Sequence, residues 1–536
     1  MEFMKLSPLA PAMLPADHHP STAHDSDRIR PGDLMTEPST LTLVLKVCQA
    51  LAEEDMAYCH WKSNNALDRS ARGDNDLDLL VSRNDAPRFT ELLYRLGFKR
   101  VKAPTEKQMP GVLDYFGYDA EADRMVHVHA HYQLILGHDM TKNYRLPIER
   151  PYLELAVQGD LFKVPAPEFE FIVFVIRMTF KHSTWDAILG REGALTTAER
   201  RELVYLQARV NQDRVAGLLQ RHLPYISIEM FNNCLQALQP ACSTWTRAKV
   251  SRELQTQLQA NAHYALSVEP LLKLWRRAAL FIRRRVFKSA TKYQFEWGGT
   301  MIAIVGGDGA GKSTAVEALY AWLSKHFETG CVHLGKPAWS WATIAIRGVL
   351  KIGQILGLYP VEASVPETLE QESLVSPGYP WLVREVCRAR DRYWTYVKAR
   401  RFAAKGGLMI CDRFPLPQIQ LMDGPQARRF IRQLMEGPQT QRFMSPRPAS
   451  RLAKFLVQRE ESYYHQMAWP EIVIVLRVDP EVAVQRKTDE DATSVRERST
   501  EIWQQTWEGT NAHLIDASQS KADVLTKLKA LMWSEL

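Results

Sequence analysis

One stretch in the second half of the chain decides its fold, MIAIVGGDGAGKSTAVEALY (Met301–Tyr320). An apolar run, a cluster of four glycines with one aspartate, and a helical pattern follow one another in that order. The apolar run predicts a buried strand, and the spacing of Val316, Leu319 and Tyr320 predicts an amphipathic helix. A strand, a glycine-rich loop and a helix in succession predict a turn that can hold phosphate.

The loop between this strand and this helix satisfies the pattern G-x-x-x-x-G-K-[ST]. Its residues are Gly306, Gly307, Asp308, Gly309, Ala310, Gly311, Lys312, Ser313 and Thr314. Glycines let the backbone curl so that successive N–H groups point inward, and the N-terminus of the following helix adds partial positive charge. We expect Lys312 to reach the β- and γ-phosphates of a nucleoside triphosphate, and Ser313 to ligate Mg²⁺.

The composition indicates a soluble protein with several domains. A chain of 536 residues is too long for one hydrophobic core, so two to four domains are expected. The net charge of +7 suits phosphorylated partners or an anionic membrane surface and does not require nucleic acid. Seven scattered cysteines without a CxxC pair favour reduced thiols and argue against a zinc site. Since no apolar run approaches the roughly 18 residues of a membrane span, we expect a cytoplasmic location.

Changes of pattern divide the chain into four regions. Residues 1–38 contain six prolines with His, Asp and Ser, which predicts a disordered tail. Residues 39–165 mix helical and alternating patterns and predict a small α+β domain, and residues 166–297 are helical throughout. Strands and helices alternate over residues 298–536, which is typical of a parallel sheet with crossover helices. The predicted fold class is multidomain α/β.

The helical region ends in a basic amphipathic segment, LLKLWRRAALFIRRRVFKSATK (residues 271–292). Arg and Lys cover this helix except for one apolar face. The positions on that apolar face are Leu271, Leu274, Trp275, Ala278, Ile282 and Val286. Such a helix can lie on an anionic membrane surface. The alternative, which we favour from the sequence, is a helix packed on the C-terminal domain with its basic residues in water. Nucleic-acid binding is disfavoured because no recognised motif accompanies the segment.

Residues 298–536 resemble the thymidylate kinase-type nucleoside monophosphate kinases. Four blocks occur in that family's order: VGGDGAGKST, GGLMICDRF (Gly406–Phe414), VIVLRVDPEVAVQRK (Val473–Lys487) and HLIDASQSKADVLTKL (His513–Leu528). The resemblance implies a P-loop kinase fold with ATP as the phosphoryl donor and Mg²⁺ as cofactor. It also implies a small-molecule acceptor that is itself phosphorylated.

The resemblance assigns roles to individual side chains. Asp308 would help to position the acceptor, Asp412 would organise Mg²⁺ at the end of the third strand, and Arg413 would bridge donor and acceptor phosphates. Arg392, in CRARDRYW, would grip the acceptor's phosphate, with Arg388 and Arg390 as alternatives. Arginines on a closing lid would neutralise developing charge. The basic residues of the predicted lid are Arg486, Lys487, Arg496 and Arg498.

Two departures from that family leave the acceptor open. The family's REPGG segment is absent, and HLGKPAWSW (His333–Trp341) stands in its place. The usual DRY has become DRFPLPQIQ. ATP as donor is supported, but these departures do not support dTMP in particular as the nucleoside monophosphate acceptor. A phosphorylated sugar, another nucleotide or a lipid-linked phosphate is equally compatible with the arginines.

The segment HWKSNNALDRSARGDNDLDLLV (His60–Val81) is similar to polymerase-β-type nucleotidyltransferases, especially their uncharacterised branch. That family carries a small-residue turn followed by D-x-[DE] on a strand. Lys62 and Ser63 would form the turn, and Asp76 and Asp78 would be the pair that shares Mg²⁺. The customary glycine of the turn is missing. The alternative interpretation is a turn followed by an edge strand with a solvated acidic face.

A later strand of the same branch, D-x-H-W, corresponds to HAHY (His129–Tyr132). His129 therefore stands where a third carboxylate is expected. His127, His129 and His131 alternate along the strand and share one face, an arrangement that suits a metal but more often marks partly exposed sheet residues.

Three function classes remain open from the sequence. The first is an ATP-dependent kinase acting on a small phosphorylated acceptor. The second is a bifunctional kinase and nucleotidyltransferase in surface-polysaccharide precursor metabolism. The third is a non-catalytic ATP-binding protein, peripheral on a membrane through residues 271–292. The sequence leaves the oligomeric state open.

Overall fold

The computed structural model describes residues 40–138, 140–182, 195–285, 292–358, 379–419, 424–427 and 451–536. The predicted disordered tail, residues 1–38, lies outside these ranges. The described residues form two large β-sheets, two two-stranded sheets and a helical region, which confirms the multidomain α/β class. Among the described helices, none combines the length and the apolar character needed to cross a bilayer.

The N-terminal region alternates strands with short helices. Its strands are β1 (Tyr58–His60), β2 (Leu77–Val81), β3 (Lys99–Lys102), β4 (Val112–Asp119), β5 (Arg124–His131), β6 (Leu134–Leu136), β7 (Tyr144–Leu146), β8 (Val157–Gln158) and β9 (Lys163–Val164). Its helices are α1 (Thr42–Glu53), α2 (Leu67–Ala71), α3 (Ala86–Arg95) and α4 (Glu149–Glu154). β2 and β5 are parallel neighbours, and β4 pairs antiparallel with β5.

Alternation along these strands separates an apolar face from a polar one. Leu77 and Leu79 of β2 and Val128 of β5 point into a core that α1 and α3 close. Neighbouring side chains in a strand point to opposite faces. Asp78 of β2, Asp76 just before that strand and the histidines of β5 therefore share the other face.

The described part of the next region contains these α-helices: α5 (Pro167–Lys181), α6 (Thr197–Gln207), α7 (Gln212–His222), α8 (Ile228–Ala237), α9 (Thr244–Gln257) and α10 (Val268–Arg285). α5 is apolar on nearly all sides, and Phe169 and Phe171 are fully buried. They belong to the same core as Trp61 and Leu80 of the N-terminal region. The boundary predicted near residue 165 thus marks a change of secondary structure within one continuous core.

The C-terminal region has a parallel sheet with crossover helices. Its strands are β10 (Gln294–Phe295), β11 (Thr300–Gly306), β12 (Thr329–His333), β13 (Leu408–Asp412), β14 (Ile472–Arg477) and β15 (Ala512–Asp516). Its helices are α11 (Lys312–Leu323), α12 (Trp341–Ile355), α13 (Tyr379–Ala403), α14 (Arg451–His465), α15 (Pro480–Arg486), α16 (Ala492–Gln504) and α17 (Lys521–Glu535). The sheet order is β12-β13-β11-β14-β15. The carboxyl ends of the adjacent central strands β11 and β13 lie side by side, the usual place for a ligand in such a sheet.

The N-terminal and C-terminal regions share a hydrophobic contact. β10 pairs with β3 and so extends the N-terminal sheet to six strands. Phe116 and Tyr118 of β4 belong to one cluster with Trp322, Phe327 and Trp533 of the C-terminal region. The indole Nε1 of Trp533 also donates a hydrogen bond to the carbonyl of Gly97, at 3.0 Å. The two sheets are thereby joined through buried aromatic side chains.

Candidate functional site

The glycine-rich loop joins β11 to α11 as the sequence predicted. Gly309 and Gly311 have φ angles of 75° and 80°, a left-handed conformation that favours glycine. A Cβ on Gly307 would lie 2.8 Å from Ser499 Oγ, so that position also excludes a side chain. Lys312 is buried and its Nζ donates to the carbonyls of Gly306 and Gly307, at 2.9 and 2.6 Å.

A buried carboxylate in this loop gathers three cations. Asp308 is 4% exposed, and its Oδ2 accepts a hydrogen bond from Arg498 at 2.8 Å. Its Oδ1 lies 3.5 Å from Arg413 Nη2 and 3.7 Å from Lys312 Nζ. Burial would raise the pKa of Asp308, but these three positive charges outweigh it and hold the pKa below its ordinary value. The loop thus contains an ionised aspartate surrounded by groups that suit phosphate.

The end of β13 places a second carboxylate beside the loop. Asp412 is the neighbour of Ile304 in the sheet, and its Oδ1 is buried with no hydrogen-bond partner among the described residues. An orphaned carboxylate oxygen at this edge suits Mg²⁺ or one of its waters. Arg413 has a φ of 58°, a strained conformation for a residue with a side chain. Ser313, in the first turn of α11, is exposed to solvent.

Two of the predicted lid arginines reach the loop. Arg498 contacts Asp308, and Arg486 Nη1 donates to the carbonyls of Ala517 at 2.8 Å and Gly309 at 3.4 Å. Arg496 instead pairs with Glu481 on the surface, at 2.7 Å. The structure therefore separates Arg496 from the other predicted lid residues.

Ser499 was missed by the sequence analysis. It is buried next to Arg498, and its Oγ donates to the carbonyl of Asp308 at 3.2 Å. Its hydroxyl thus ties α16 to the phosphate loop. The signal in the sequence is weak, because a serine after an arginine in a polar helix has no distinctive spacing.

The structure buries Arg392, the predicted acceptor-binding residue, against the segment after β12. Its Nε donates to the carbonyl of Leu334 at 2.6 Å, and its Nη2 donates to that of Gly335 at 3.1 Å. Its Nη1 donates to the Tyr464 hydroxyl at 2.5 Å. Of the two alternatives, Arg388 pairs with Glu385 and Arg390 bonds Ser340 and Thr343. In this structure Arg392 supports the segment that replaces the REPGG block.

The N-terminal sheet brings the predicted aspartates and histidines together. His127 Nδ1 lies 2.9 Å from Asp76 Oδ1, and His129 Nδ1 lies 3.2 Å from Asp78 Oδ1. His131 Nε2 also contacts Asp78 Oδ1, at 3.3 Å. Two sets of these groups are spaced closely enough to hold a metal ion: Asp76, His127, His129; and Asp78, His129, His131.

A third carboxylate enters this site from β4 and was missed by the sequence analysis. Asp114 is the direct cross-strand partner of His129, and its Oδ1 lies 3.1 Å from His129 Nε2. It also lies 3.2 Å from His127 Nε2. The family motif led us to expect the carboxylate at position 129, whereas here it comes from the neighbouring strand. The available signal was a lone aspartate inside the apolar run VLDYF (Val112–Phe116).

Charge is distributed unevenly among these groups. Burial would lower the pKa of His129, but the hydrogen bonds that its ring donates to Asp114 and Asp78 raise it to about 10. Burial lowers the pKa of His131 to about 4. Lys62 Nζ lies 2.8 Å from Asp78, so the residue at the predicted turn contacts the carboxylate pair. Ser63 has a φ of 58° and takes the left-handed conformation that a glycine would adopt there.

A cavity of about 520 Å³ opens beside these carboxylates. It lies between the polar face of the sheet and the helices α5 and α6. Asp76 and Asp78 line one side, together with Ser63 and His131. Four cations also line it: Lys62, Lys142, Arg177 and Lys181. A space of this size with cations beside carboxylates suits a phosphorylated small molecule.

Comparison with known proteins gives a family match within the N-terminal half of the chain and, separately, relatives that are named as ATP-binding proteins. Residues 63–191 match the family described as "Uncharacterised nucleotidyltransferase", which confirms the nucleotidyltransferase-like character of the N-terminal region. The uncharacterized ATP-binding protein YghR of Escherichia coli K12 is 28% identical over 235 residues, covering 42% of this chain and 83% of that protein. The uncharacterized ATP-binding protein YghS of the same strain is 27% identical over 235 residues, with 42% and 89% covered.

Among solved structures, a deoxyadenosine kinase from M. mycoides with bound dATP is similar at 14% identity. That match covers 43% of this chain and 98% of the kinase, with a TM-score of 0.24. The family match at residues 63–191 extends from the predicted turn into the helical region, in line with the core that these two parts of the chain share.

Proposed function

We propose that residues 298–536 form a thymidylate kinase-like domain that uses ATP. It transfers the γ-phosphoryl group to a small phosphorylated acceptor, a nucleoside monophosphate or a sugar phosphate. The observation that carries this proposal is the cluster of three cations around Asp308 at the end of the parallel sheet. The relatives named as ATP-binding proteins support the choice of donor.

The loop residues would bind the donor. The backbone curl between Gly306 and Gly311 offers amide groups to the phosphates, and Lys312 exchanges its loop carbonyls for phosphate oxygens. The buried Asp412 carboxylate and the exposed Ser313 hydroxyl are the groups that would hold Mg²⁺. When bound, that ion supplies charge neutralisation at the phosphates.

The arginines would stabilise the transferring group. Arg413 and Arg498 both contact Asp308 in this structure, so they lie beside the loop before the donor arrives. Phosphoryl transfer depends mainly on positioning and on neutralising developing charge. Arg392 would act on the acceptor side through the segment at Leu334 and Gly335.

Isothermal titration of the full chain with ATP and Mg²⁺ tests this proposal. Binding should be measurable for the wild type, and transfer of labelled phosphate should disappear in Lys312→Ala. A screen of nucleoside monophosphates and sugar phosphates then identifies the acceptor. Arg496→Ala is the matched control because that arginine pairs with Glu481 on the surface. A folded wild type that gives no heat with ATP and Mg²⁺ would contradict the proposal.

A second activity is favoured by the N-terminal cavity. We propose that Asp76, Asp78 and Asp114 hold a divalent cation beside a nucleotide, so that the chain is bifunctional. Asp76 lies 2.9 Å from His127, and Asp78 and Asp114 lie 3.2 and 3.1 Å from His129, so the three carboxylates converge on two neighbouring histidines. Carboxylate oxygens are the ligands that Mg²⁺ prefers. The cations that line the cavity would bind the phosphates.

Pyrophosphate release from each nucleoside triphosphate, with Mg²⁺ and with Mn²⁺, tests the second activity. Asp76→Asn together with Asp78→Asn should abolish the release. Asp68→Asn is the control, since that aspartate is mostly exposed and lies on α2. Release that persists in the double variant, or that is absent from the wild type with every triphosphate, would refute this activity and leave the kinase proposal intact.

A further inference from the structure

The helix α10 exposes its apolar side to solvent. Five large side chains on one stripe are 46 to 68% exposed: Leu271, Leu274, Trp275, Phe281 and Ile282. Ala278, between them on the same face, is also exposed. Our preferred interpretation from the sequence placed this stripe against the C-terminal domain, and the structure shows the opposite arrangement.

The polar side of α10 faces the protein instead. Glu269 is buried and accepts hydrogen bonds from Thr141, Asn143 and Tyr144, at 2.9, 3.0 and 2.6 Å. Arg276 donates to the carbonyl of Met140 at 2.6 Å. These bonds fix the rotation of the helix about its axis.

A second ion pair supports the same orientation near the end of α10. Arg283 pairs with Glu106 at 3.0 Å. Leu280, on the inner side, is only 9% exposed. The outward position of the apolar stripe is therefore set by specific polar contacts along the length of the helix.

This orientation reverses that of a helix on a globular protein, where the apolar stripe faces the core. Soluble proteins rarely expose a continuous apolar stripe of this length unless it contacts something. Five large apolar side chains of this stripe are exposed to solvent. The stripe therefore marks an interaction surface.

The charges around the stripe select its partner. The only acidic residue of α10 in the sequence is Glu269, which is buried. The basic residues of the helix are Lys273, Arg276, Arg277, Arg283, Arg284 and Arg285. A second copy would bring the same cations face to face, and nucleic acid has no apolar surface for the stripe. An anionic lipid surface meets both demands, since acyl chains take the stripe and headgroups take the exposed cation of Arg285 at its end.

We propose that α10 docks the protein on an anionic membrane surface with its axis in the plane of the interface. Leu274, Trp275 and Phe281 enter the boundary between headgroups and acyl chains. Arg285, which is exposed at the end of the stripe, contacts lipid phosphate. The inference does not depend on catalysis at either site.

Co-sedimentation of the full chain with vesicles tests this inference. The vesicles are pure phosphatidylcholine, or phosphatidylcholine with about a third phosphatidylglycerol. The wild type should bind the anionic vesicles strongly and the neutral ones weakly, with binding that falls as salt rises. Leu274→Ser with Phe281→Ser should weaken binding at least about tenfold, because two apolar anchors are lost. Arg285→Glu should weaken binding to the anionic vesicles about fivefold or more.

Trp245→Ser is the matched control. Trp245 lies on α9 and is 75% exposed. The substitution therefore removes an exposed tryptophan outside the stripe and should leave vesicle binding unchanged. Equal vesicle binding by the double variant and the wild type would overturn the inference, as would no binding of the wild type to anionic vesicles. Light scattering that shows a wild-type dimer, dissolved by the double variant without any vesicle binding, would assign the stripe to a second copy and overturn it too.

Discussion

At the scale of single residues, the C-terminal site is organised around one buried carboxylate. The single negative charge of Asp308 lies 2.8 to 3.7 Å from the cationic groups of Lys312, Arg413 and Arg498. A nucleotide would bring its own negative charge to the same cations. Asp308 therefore competes electrostatically with the donor while it holds the arginines in place.

This competition gives a prediction for Asp308→Asn. The variant should bind ATP several-fold more tightly, because a negative charge beside the phosphates is gone. It should also transfer phosphate more slowly, because Arg413 and Arg498 lose the group that holds them. Calorimetry and a transfer assay measure the two effects separately. Glu481→Gln, on the surface, is the control. Weaker ATP binding in Asp308→Asn would show that the aspartate chiefly maintains the shape of the loop.

A second residue gives a pH-dependent prediction. Burial raises the pKa of Glu170 on α5 from 4.5 to about 7, although Asn64 donates a hydrogen bond to it at 2.8 Å. The folded protein favours the neutral form of Glu170. Its contribution to the free energy of unfolding is fully present below the pKa that Glu170 has in the unfolded chain, and it is lost as pH rises through the pKa of the folded protein. The thermal midpoint of the wild type should fall as pH rises from about 4.5 to about 7. The free energy of unfolding should decrease by at most about 1.4 kcal/mol per pH unit within that window.

Glu170→Gln should flatten that pH dependence, because its side chain does not ionise. Glu154→Gln is the control, since Glu154 is largely exposed. Hydrogen exchange of α5 reports the same effect locally. If the thermal midpoints of the wild type and of Glu170→Gln changed with pH in the same way, Glu170 would not be the source of the pH dependence.

At the scale of secondary-structure elements, strand register decides the N-terminal site. β4 pairs with β5 so that Asp114 faces His129, and β2 pairs with β5 so that Asp78 also lies opposite His129. Three strands thus deliver their polar residues to one point on one face. A shift of β4 by one residue would replace Asp114 by an apolar neighbour.

The register argument predicts that Asp114 contributes to metal affinity. Asp114→Asn should weaken Mn²⁺ binding to the full chain at least about tenfold, because it removes a carboxylate ligand and the partner of two histidines. Titration followed by the electron paramagnetic resonance of free Mn²⁺ measures it. Asp68→Asn should bind as the wild type does. Equal affinity in Asp114→Asn would remove this residue from the site.

At the scale of the whole molecule, aromatic packing links the two sites. Phe116 stacks on His127 with ring centroids 4.2 Å apart, and it also contacts Phe327 at 5.0 Å. His127 belongs to the N-terminal carboxylate site, and Phe327 follows α11, which begins at the phosphate loop. The buried ring of Phe116 therefore lies between the N-terminal site and the C-terminal domain.

This contact predicts that the two parts of the molecule unfold together. Phe116→Ala should destabilise the protein by about 3–5 kcal/mol and divide a joint calorimetric transition into two, because the shared core is broken. Phe455→Ala, which removes an exposed ring on α14, should leave the transition unchanged. A joint transition that survives Phe116→Ala at the wild-type temperature would show that the regions are held by other contacts.

The sequence by itself determined the features that depend on neighbours along the chain. The phosphate loop, the parallel sheet of residues 298–536 and the strand with Asp76 and Asp78 follow from glycine conformation and from periods of two and 3.6 residues. The helical pattern of residues 166–297 was predicted in the same way, and the helices α5 to α10 lie within it.

Only the tertiary structure decided which distant side chains meet. Arg498 and Asp308 are 190 residues apart in the chain, and no local pattern shows that they share an ion pair. Asp114 joins His129 through strand pairing, and Arg392 is held by carbonyls after another strand. The outward face of α10 was set by Glu269 and its three distant partners. Local patterns report the faces of an element, whereas its orientation depends on contacts between elements brought together by folding.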